Sequence, residues 1–239
     1  MKLFYAPGAC SLADHIALIE AGLRFEYERV DLKAKTTASG ANFLSINPKG
    51  YVPALVLDSG EVITENPAVL DWIALQKPSL SPGGPLGRTR LLEALSYISA
   101  ELHKSFHPFF SGDSEPEKAK ARLVLTGKFQ LSADHFRGDY VFGDRLTVAD
   151  CYLFVMLLWA GKFRIALPAP LSALRARMLT LPSVQEAMKA EGWAYSAPPD
   201  TAVAQVRRPG GPNEPQGELS APHTATVHDG PAGLHAETV

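Results

Sequence analysis

Apolar residues along this chain follow two different rhythms. Before Lys77 they come in short runs broken by turn residues; after Pro85 they recur at helical spacing. Lys2–Tyr5 reads as a short apolar strand, closed by the breaker pair Pro7-Gly8. Ala9 to Ala21 reads as a helix with Leu12, Ile16 and Ile19 on one face and Gly22 at its C-terminal end. Phe25 to Asp31 lacks Gly and Pro and predicts a second strand. Val52–Leu57, the turn Asp58-Ser59-Gly60 and Val62–Thr64 predict a hairpin. Asn66 to Gln76 returns to helical spacing through Val69, Leu70 and Ile73.

The second rhythm begins after a Pro/Gly/Ser stretch over residues 78–87. Leu91, Leu95, Ile98 and Leu102 form one stripe of a long helix, and Glu115–Phe136 is another helix. Thr147-Val148-Ala149-Asp150 reads as a capping box, with Leu146 and Cys151 available as a hydrophobic staple. Tyr152 to Ala160 is apolar all round and predicts a buried helix, with Cys151 in its core. Pro182 opens a last helix that Gly192 ends. Strand, helix, strand, then hairpin and helix is the order of a thioredoxin-like fold. The expected architecture is α/β plus all-α: a thioredoxin-like N-terminal domain at 1–77, a linker at 78–87 and a helical C-terminal domain at 88–195.

Composition changes this picture at the C-terminus. Ala197–Val239 holds no aromatic residue, seven prolines and five glycines. Such a stretch cannot bury enough apolar surface to offset the entropy of ordering it, so residues 196–239 are expected to be a disordered tail. His223, His228 and His235 are scattered through it as solvated histidines are, and no metal is expected. The whole chain has 23 basic and 25 acidic residues, a net charge of −2, which argues against nucleic-acid binding. Two cysteines cannot build a disulfide framework, and the longest apolar run, Cys151–Ala160, is half a membrane span. The expectation is a cytoplasmic protein without a membrane partner.

Three places carry candidate chemistry. Cys10 sits behind a strand, at the start of a helix, where backbone N–H groups favour a thiolate and lower the thiol pKa. Ala13 stands where a Cys-x-x-Cys pair needs its second thiol, so redox chemistry there needs an external one. Val52-Pro53 precedes a strand; a cis bond there turns the Val52 backbone outward toward an extended peptide, and a trans proline simply opens an edge strand. Glu65-Asn66 marks a strand-to-helix junction. Asn66 is a good N-cap, the helix start accepts a carboxylate, and Glu65 accepts an ammonium. Simple capping is the plainer reading. His103 and His107 share zinc-ligand spacing, but Pro108 follows and no third ligand is evident.

Met1–Leu12, Asn47–Leu55, Glu101-Leu102-His103-Lys104 and Arg145–Leu153 together resemble the bacterial beta-class glutathione S-transferases, over residues 1–195 and in the right order. The resemblance implies that Cys10 faces the glutathione sulfur and that Val52 pairs with the cysteinyl backbone through a cis Pro53. It implies that Glu65 and the Asn66 amide hold the γ-glutamyl group and that Lys35 lies near the glycyl carboxylate. Tyr51 stands where that family often has glutamine, and Ser96 where some members have asparagine. Ser96, Ala100, Glu101, Leu102 and His103 are the implied contacts from the helical domain, with Cys10 and His103 as the catalytic pair. Ser11 and Tyr5 rank behind Cys10, because other branches activate glutathione through a Ser or Tyr hydroxyl.

The implied activity uses glutathione as co-substrate, without a metal, in a homodimer of two such chains. One form is conjugation to a hydrophobic electrophile; the other is thiol–disulfide exchange through Cys10. The alternatives are a non-catalytic binder using Phe110, Trp159 and Phe163 as an apolar cleft, and a glutathione-dependent dehalogenase or ether-cleaving enzyme.

Overall fold

The computed structural model describes residues 1–136 and 138–193. The expected tail at 196–239, and the last two residues of the expected helical domain, lie outside the described residues.

The short runs of the first segment fold into one sheet of five strands in the order β3-β2-β1-β4-β5. β1 (Lys2–Tyr5) lies parallel to β2 (Glu26–Asp31) and antiparallel to β4 (Ala54–Val56), which pairs antiparallel with β5 (Val62–Thr64). The parallel pair requires a crossover, and α1 (Leu12–Glu20) supplies it. Gly22 takes φ +68° just after α1, the left-handed conformation that a helix-ending glycine accepts without a Cβ clash. The sequence missed β3 (Thr36–Thr37), a two-residue edge strand held by β2. So short a segment shows no alternation to read.

One expectation about α1 is corrected. Its pattern predicts one apolar face, yet every residue from Leu12 to Leu18 is buried. α2 (Asn66–Gln76) and the helices of the second segment, α6 (Val148–Lys162) and α8 (Pro182–Ala190), pack around it. Its polar Asp14 and His15 are therefore interior groups that need partners.

The second segment is helical among its described residues. α3 (Gly87–Tyr97) runs into a π-helical turn over Ile98–His103, and a short α4 (His107–Phe110) follows. α5 (Glu115–Asp134) and α7 (Ala169–Thr180) complete the set with α6 and α8. α6 is buried from Val148 to Gly161, as its uniformly apolar sequence requires. Its capping box forms: Asp150 accepts hydrogen bonds from the Thr147 N–H and hydroxyl, both at 2.7 Å, and from the Val141 N–H at 2.7 Å. Desolvation nevertheless pushes the Asp150 carboxyl up to about 6, because burial penalises its charge more than these donors relieve it. Among the described residues no helix is long and apolar enough to cross a membrane.

Candidate active site

The turn after β1 brings the Cys10 segment to the centre of the molecule. Gly8, at φ +70°, lets the chain reverse, and the Ala9 N–H closes the turn on the Ala6 carbonyl at 3.0 Å. The Trp159 indole N–H of α6 donates to the Gly8 carbonyl at 2.9 Å, and the Trp193 ring packs against Gly8. Cys10 is buried, and its thiol donates to the Val52 carbonyl at 3.5 Å. Two of the three motifs singled out in the sequence, 42 residues apart, meet here.

The electrostatics of Cys10 run against the sequence expectation. Burial pushes its thiol far above the ordinary value, and the carboxyl of Asp14 pushes the same way. The N–H groups of Cys10 and Ser11 favour the thiolate, as the helix-start argument requires, but they are outweighed. Ser11, ranked behind Cys10, is fully buried, and its oxygen accepts the Ala6 N–H at 3.3 Å. Tyr5 is buried against His15 and Tyr27.

The Val52–Pro53 peptide is cis. The segment before it is fixed by Asn47, which is buried and donates to the Tyr51 carbonyl at 2.7 Å. Lys35 approaches from the other side. Its ammonium donates to the Gly50 carbonyl at 2.8 Å and lies 5.3 Å from the centre of the Tyr51 ring.

At the third motif the residue roles differ from expectation. Glu65, not Asn66, is the N-cap of α2, and Asn66 is its first helical residue. The Asn66 side chain turns inward and donates to the Cys10 carbonyl at 2.9 Å and to Asp14 Oδ2 at 2.8 Å. It ties α2 to the Cys10 segment, which leaves only its backbone for a ligand. Glu65 adopts φ +74°, a left-handed conformation that costs a non-glycine residue about 1–3 kcal/mol. Its exposed carboxylate meets the Lys49 ammonium at 2.7 Å.

The helical segment contributes His103, at the end of the π-helical turn. His103 Nδ1 lies 2.8 Å from the Tyr152 hydroxyl, and the imidazole packs edge-on to Trp159 with ring centres 5.0 Å apart. Desolvation lowers its pKa to about 4, so the ring is neutral at pH 7. The neighbouring candidates are placed differently. Leu102 is fully buried in the core, and Glu101 turns outward to an ion pair with Lys128 at 2.8 Å. Ser96 and Ala100 are exposed. Among the described residues no cluster of three or more metal-ligating side chains forms.

Sequence reasoning missed Asp14, Tyr152, Lys49 and the pair His15–Glu191. His15 Nδ1 and Glu191 Oε1 are 3.0 Å apart and both side chains are buried. A polar pair inside an otherwise apolar helix was the available signal at Asp14-His15; nothing in the sequence pairs it with a residue 176 positions away.

Two protein-family models match the chain: the glutathione S-transferase N-terminal domain over residues 9–76 and the C-terminal domain over 91–182. The chain belongs to the glutathione S-transferase family. It is 41% identical to glutathione S-transferase GstA of Escherichia coli O157:H7 over 199 residues, covering 80% of this chain and 99% of that one. It is 38% identical to glutathione S-transferase GST-4.5 of Xanthomonas campestris pv. campestris over 207 residues, again 80% and 99% of the two chains. Among solved structures, a sphingomonad glutathione S-transferase complexed with glutathione superposes with a TM-score of 0.76 at 46% identity, covering 81% of this chain and all of that one. A beta-class enzyme of Sphingomonas chungbukensis gives 0.75 at 44%, with the same coverage. The fold is thus that of a bacterial beta-class glutathione S-transferase: a thioredoxin-like part followed by a helical part.

Proposed function

We propose that this protein binds reduced glutathione along the edge formed by Lys35, Val52, Glu65 and Asn66, and conjugates it to hydrophobic electrophiles beside Cys10 and His103. The observation that carries the reading is the contact of the Cys10 thiol with the Val52 carbonyl, in a chain whose relatives are named glutathione transferases. A cysteinyl backbone pairing with Val52 brings its own sulfur beside Cys10. The Glu65 carboxylate then meets the glutamyl ammonium, the free Asn66 N–H at the first turn of α2 meets the glutamyl carboxylate, and Lys35 meets the glycyl carboxylate.

The state of Cys10 favours conjugation over thiol–disulfide exchange. Exchange needs the protein's own thiolate, which burial suppresses. Conjugation uses the substrate's sulfur: the C–S bond forms, the leaving group departs with its electron pair, and the thiol proton passes to solvent. Cys10 then serves as a hydrogen-bond donor to the glutathione sulfur, and neutral His103, oriented by Tyr152, lines the same space. The protein acts in the cytoplasm as a homodimer in this reading. Apolar side chains such as Tyr51 and Leu75, 69% and 52% exposed, offer surface for a partner protomer to cover.

Calorimetric titration with glutathione tests the assignment. Glu65→Ala removes a charge-assisted hydrogen bond and should weaken binding by about 1.5–3 kcal/mol, roughly 10- to 150-fold in Kd. Wild-type affinity in that variant removes Glu65 from the site. No heat with the wild-type protein, together with no turnover of 1-chloro-2,4-dinitrobenzene, overturns the reading as a whole.

A further inference from the structure

The wall next to His103 has a feature that plain hydrophobicity does not explain. Aromatic rings continue outward from the Cys10 segment in one series. Trp159, hydrogen-bonded to Gly8, meets His103 on one side and Phe110 on the other, at 5.0 and 4.8 Å between ring centres. Phe110 meets Phe163 edge-on at 5.1 Å. Phe110 is 50% exposed, so its ring offers an open face. Over the outer end of this series sits an ammonium: Lys162 Nζ is 5.5 Å from the Phe110 ring centre and 5.4 Å from that of Phe163.

Most lysines near carboxylates here are neutralised: Lys49 by Glu65, Lys118 by Glu115, Lys128 by Glu101. Lys162, the last residue of α6, is exposed and has no carboxylate partner among the described residues. The rings below hold the ammonium through their electron-rich faces. That leaves its charge available to a ligand. A planar substrate ring stacked on Phe110 lies with its centre about 4.5–7 Å away. Its outer edge then falls within reach of Lys162, and its inner edge points back toward Trp159, His103 and the Cys10 segment.

We propose that Lys162 makes this acceptor site selective for aromatic electrophiles that carry a carboxylate, with the ring on Phe110, the carboxylate at Lys162 and the reactive carbon toward Cys10. The inference rests on the conjugation reading above. In the aryl-halide form of the reaction, glutathione sulfur attacks the halogen-bearing carbon. The new C–S bond takes the sulfur electron pair, halide leaves with the C–halogen pair, and the thiol proton goes to solvent.

A matched pair of substrates tests it on the full chain: 1-chloro-2,6-dinitrobenzene and its carboxylated counterpart 4-chloro-3,5-dinitrobenzoate. The quantity read is the ratio of kcat/KM for the carboxylated to the uncharged electrophile. Lys162→Met keeps the apolar stem and removes the charge, and should lower the ratio about fivefold, mainly through KM for the carboxylated substrate. Lys162→Arg should restore it to within about twofold, and Lys162→Glu should lower it further than Met does. An unchanged ratio in Lys162→Met and Lys162→Glu, with the uncharged substrate still turned over, overturns the role of Lys162 and leaves conjugation standing. Failure of the wild-type protein to conjugate either substrate overturns both.

Discussion

Replacing Cys10 by alanine separates the two chemistries open to a thiol at this position. The side chain is buried and makes one hydrogen bond, from Sγ to the Val52 carbonyl at 3.5 Å. Its loss as a donor to the glutathione sulfur is worth about 0.5–1.5 kcal/mol, so conjugation should fall by between about twofold and tenfold, not vanish. Disulfide exchange has no such reserve, because the attacking sulfur is gone. The wild-type protein makes a second, sharper statement. An unperturbed thiol is roughly 3% ionised at pH 7, and each unit of upward shift lowers that tenfold. With its pKa pushed well up by burial, Cys10 should react with iodoacetamide at pH 7 at least about tenfold more slowly than free glutathione. The assay is peptide mapping by mass spectrometry over pH 6–9, with fully buried Cys151 as internal comparator. Rapid alkylation of Cys10 below pH 8, or conjugation abolished in Cys10→Ala, would refute the argument that burial governs this thiol.

Two further perturbations probe the surroundings. The folded His103 pKa of about 4 lies below the value of about 6.5 in an unfolded chain, so the unfolded state binds the extra proton between those limits. Stability should therefore rise with pH across that window, by up to about 3 kcal/mol, and His103→Gln should flatten the rise; urea unfolding at pH 4.5 and 7 checks this, and equal pH slopes in both proteins contradict it. Asp150→Ala strips three accepted hydrogen bonds and strands the buried Thr147 N–H and the half-buried Val141 N–H. A loss of about 3–5 kcal/mol should lower Tm by roughly 6–20 °C in calorimetry, and a shift under about 2 °C would show that α6 does not depend on this cap.

The strands, the first helix and the buried α6 were legible because each depends on local pattern: a short apolar run, a 3.6-residue stripe, a Thr-x-x-Asp start. The functional side chains were legible as positions but not as directions. Asn66 has the chemistry of a cap, yet Asp14 and the Cys10 carbonyl lie on the inner side of α2 and draw its amide there. Glu101 adjoins His103 in sequence, but the helix sets it toward Lys128. The state of Cys10 was misjudged for a related reason. A helix start is visible in sequence; the carboxyl of Asp14 and the packing that desolvates the sulfur are tertiary facts. α4 and α7 went unnoticed because α4 is four residues long and α7 begins between two prolines, Pro168 at its N-cap and Pro170 in its first turn.

The fastening of the Gly8 turn sets an order of events during synthesis. Its carbonyl is held by Trp159, 151 residues downstream, and the adjoining His15 by Glu191, 176 residues downstream. The sheet strands β1 to β5 have all left the ribosome long before either partner is made. At roughly 5–20 residues per second, the interval between the two ends of these contacts is about 8–35 s. In the later part of that interval, once β5 has been made, a nascent chain can pair its strands while the Cys10 turn lacks its indole anchor and His15 lacks its carboxylate. Until that packing is complete the Cys10 thiol lacks the burial that raises its pKa, so a chain released early carries the sheet with a more reactive thiol and an unfastened Gly8 turn.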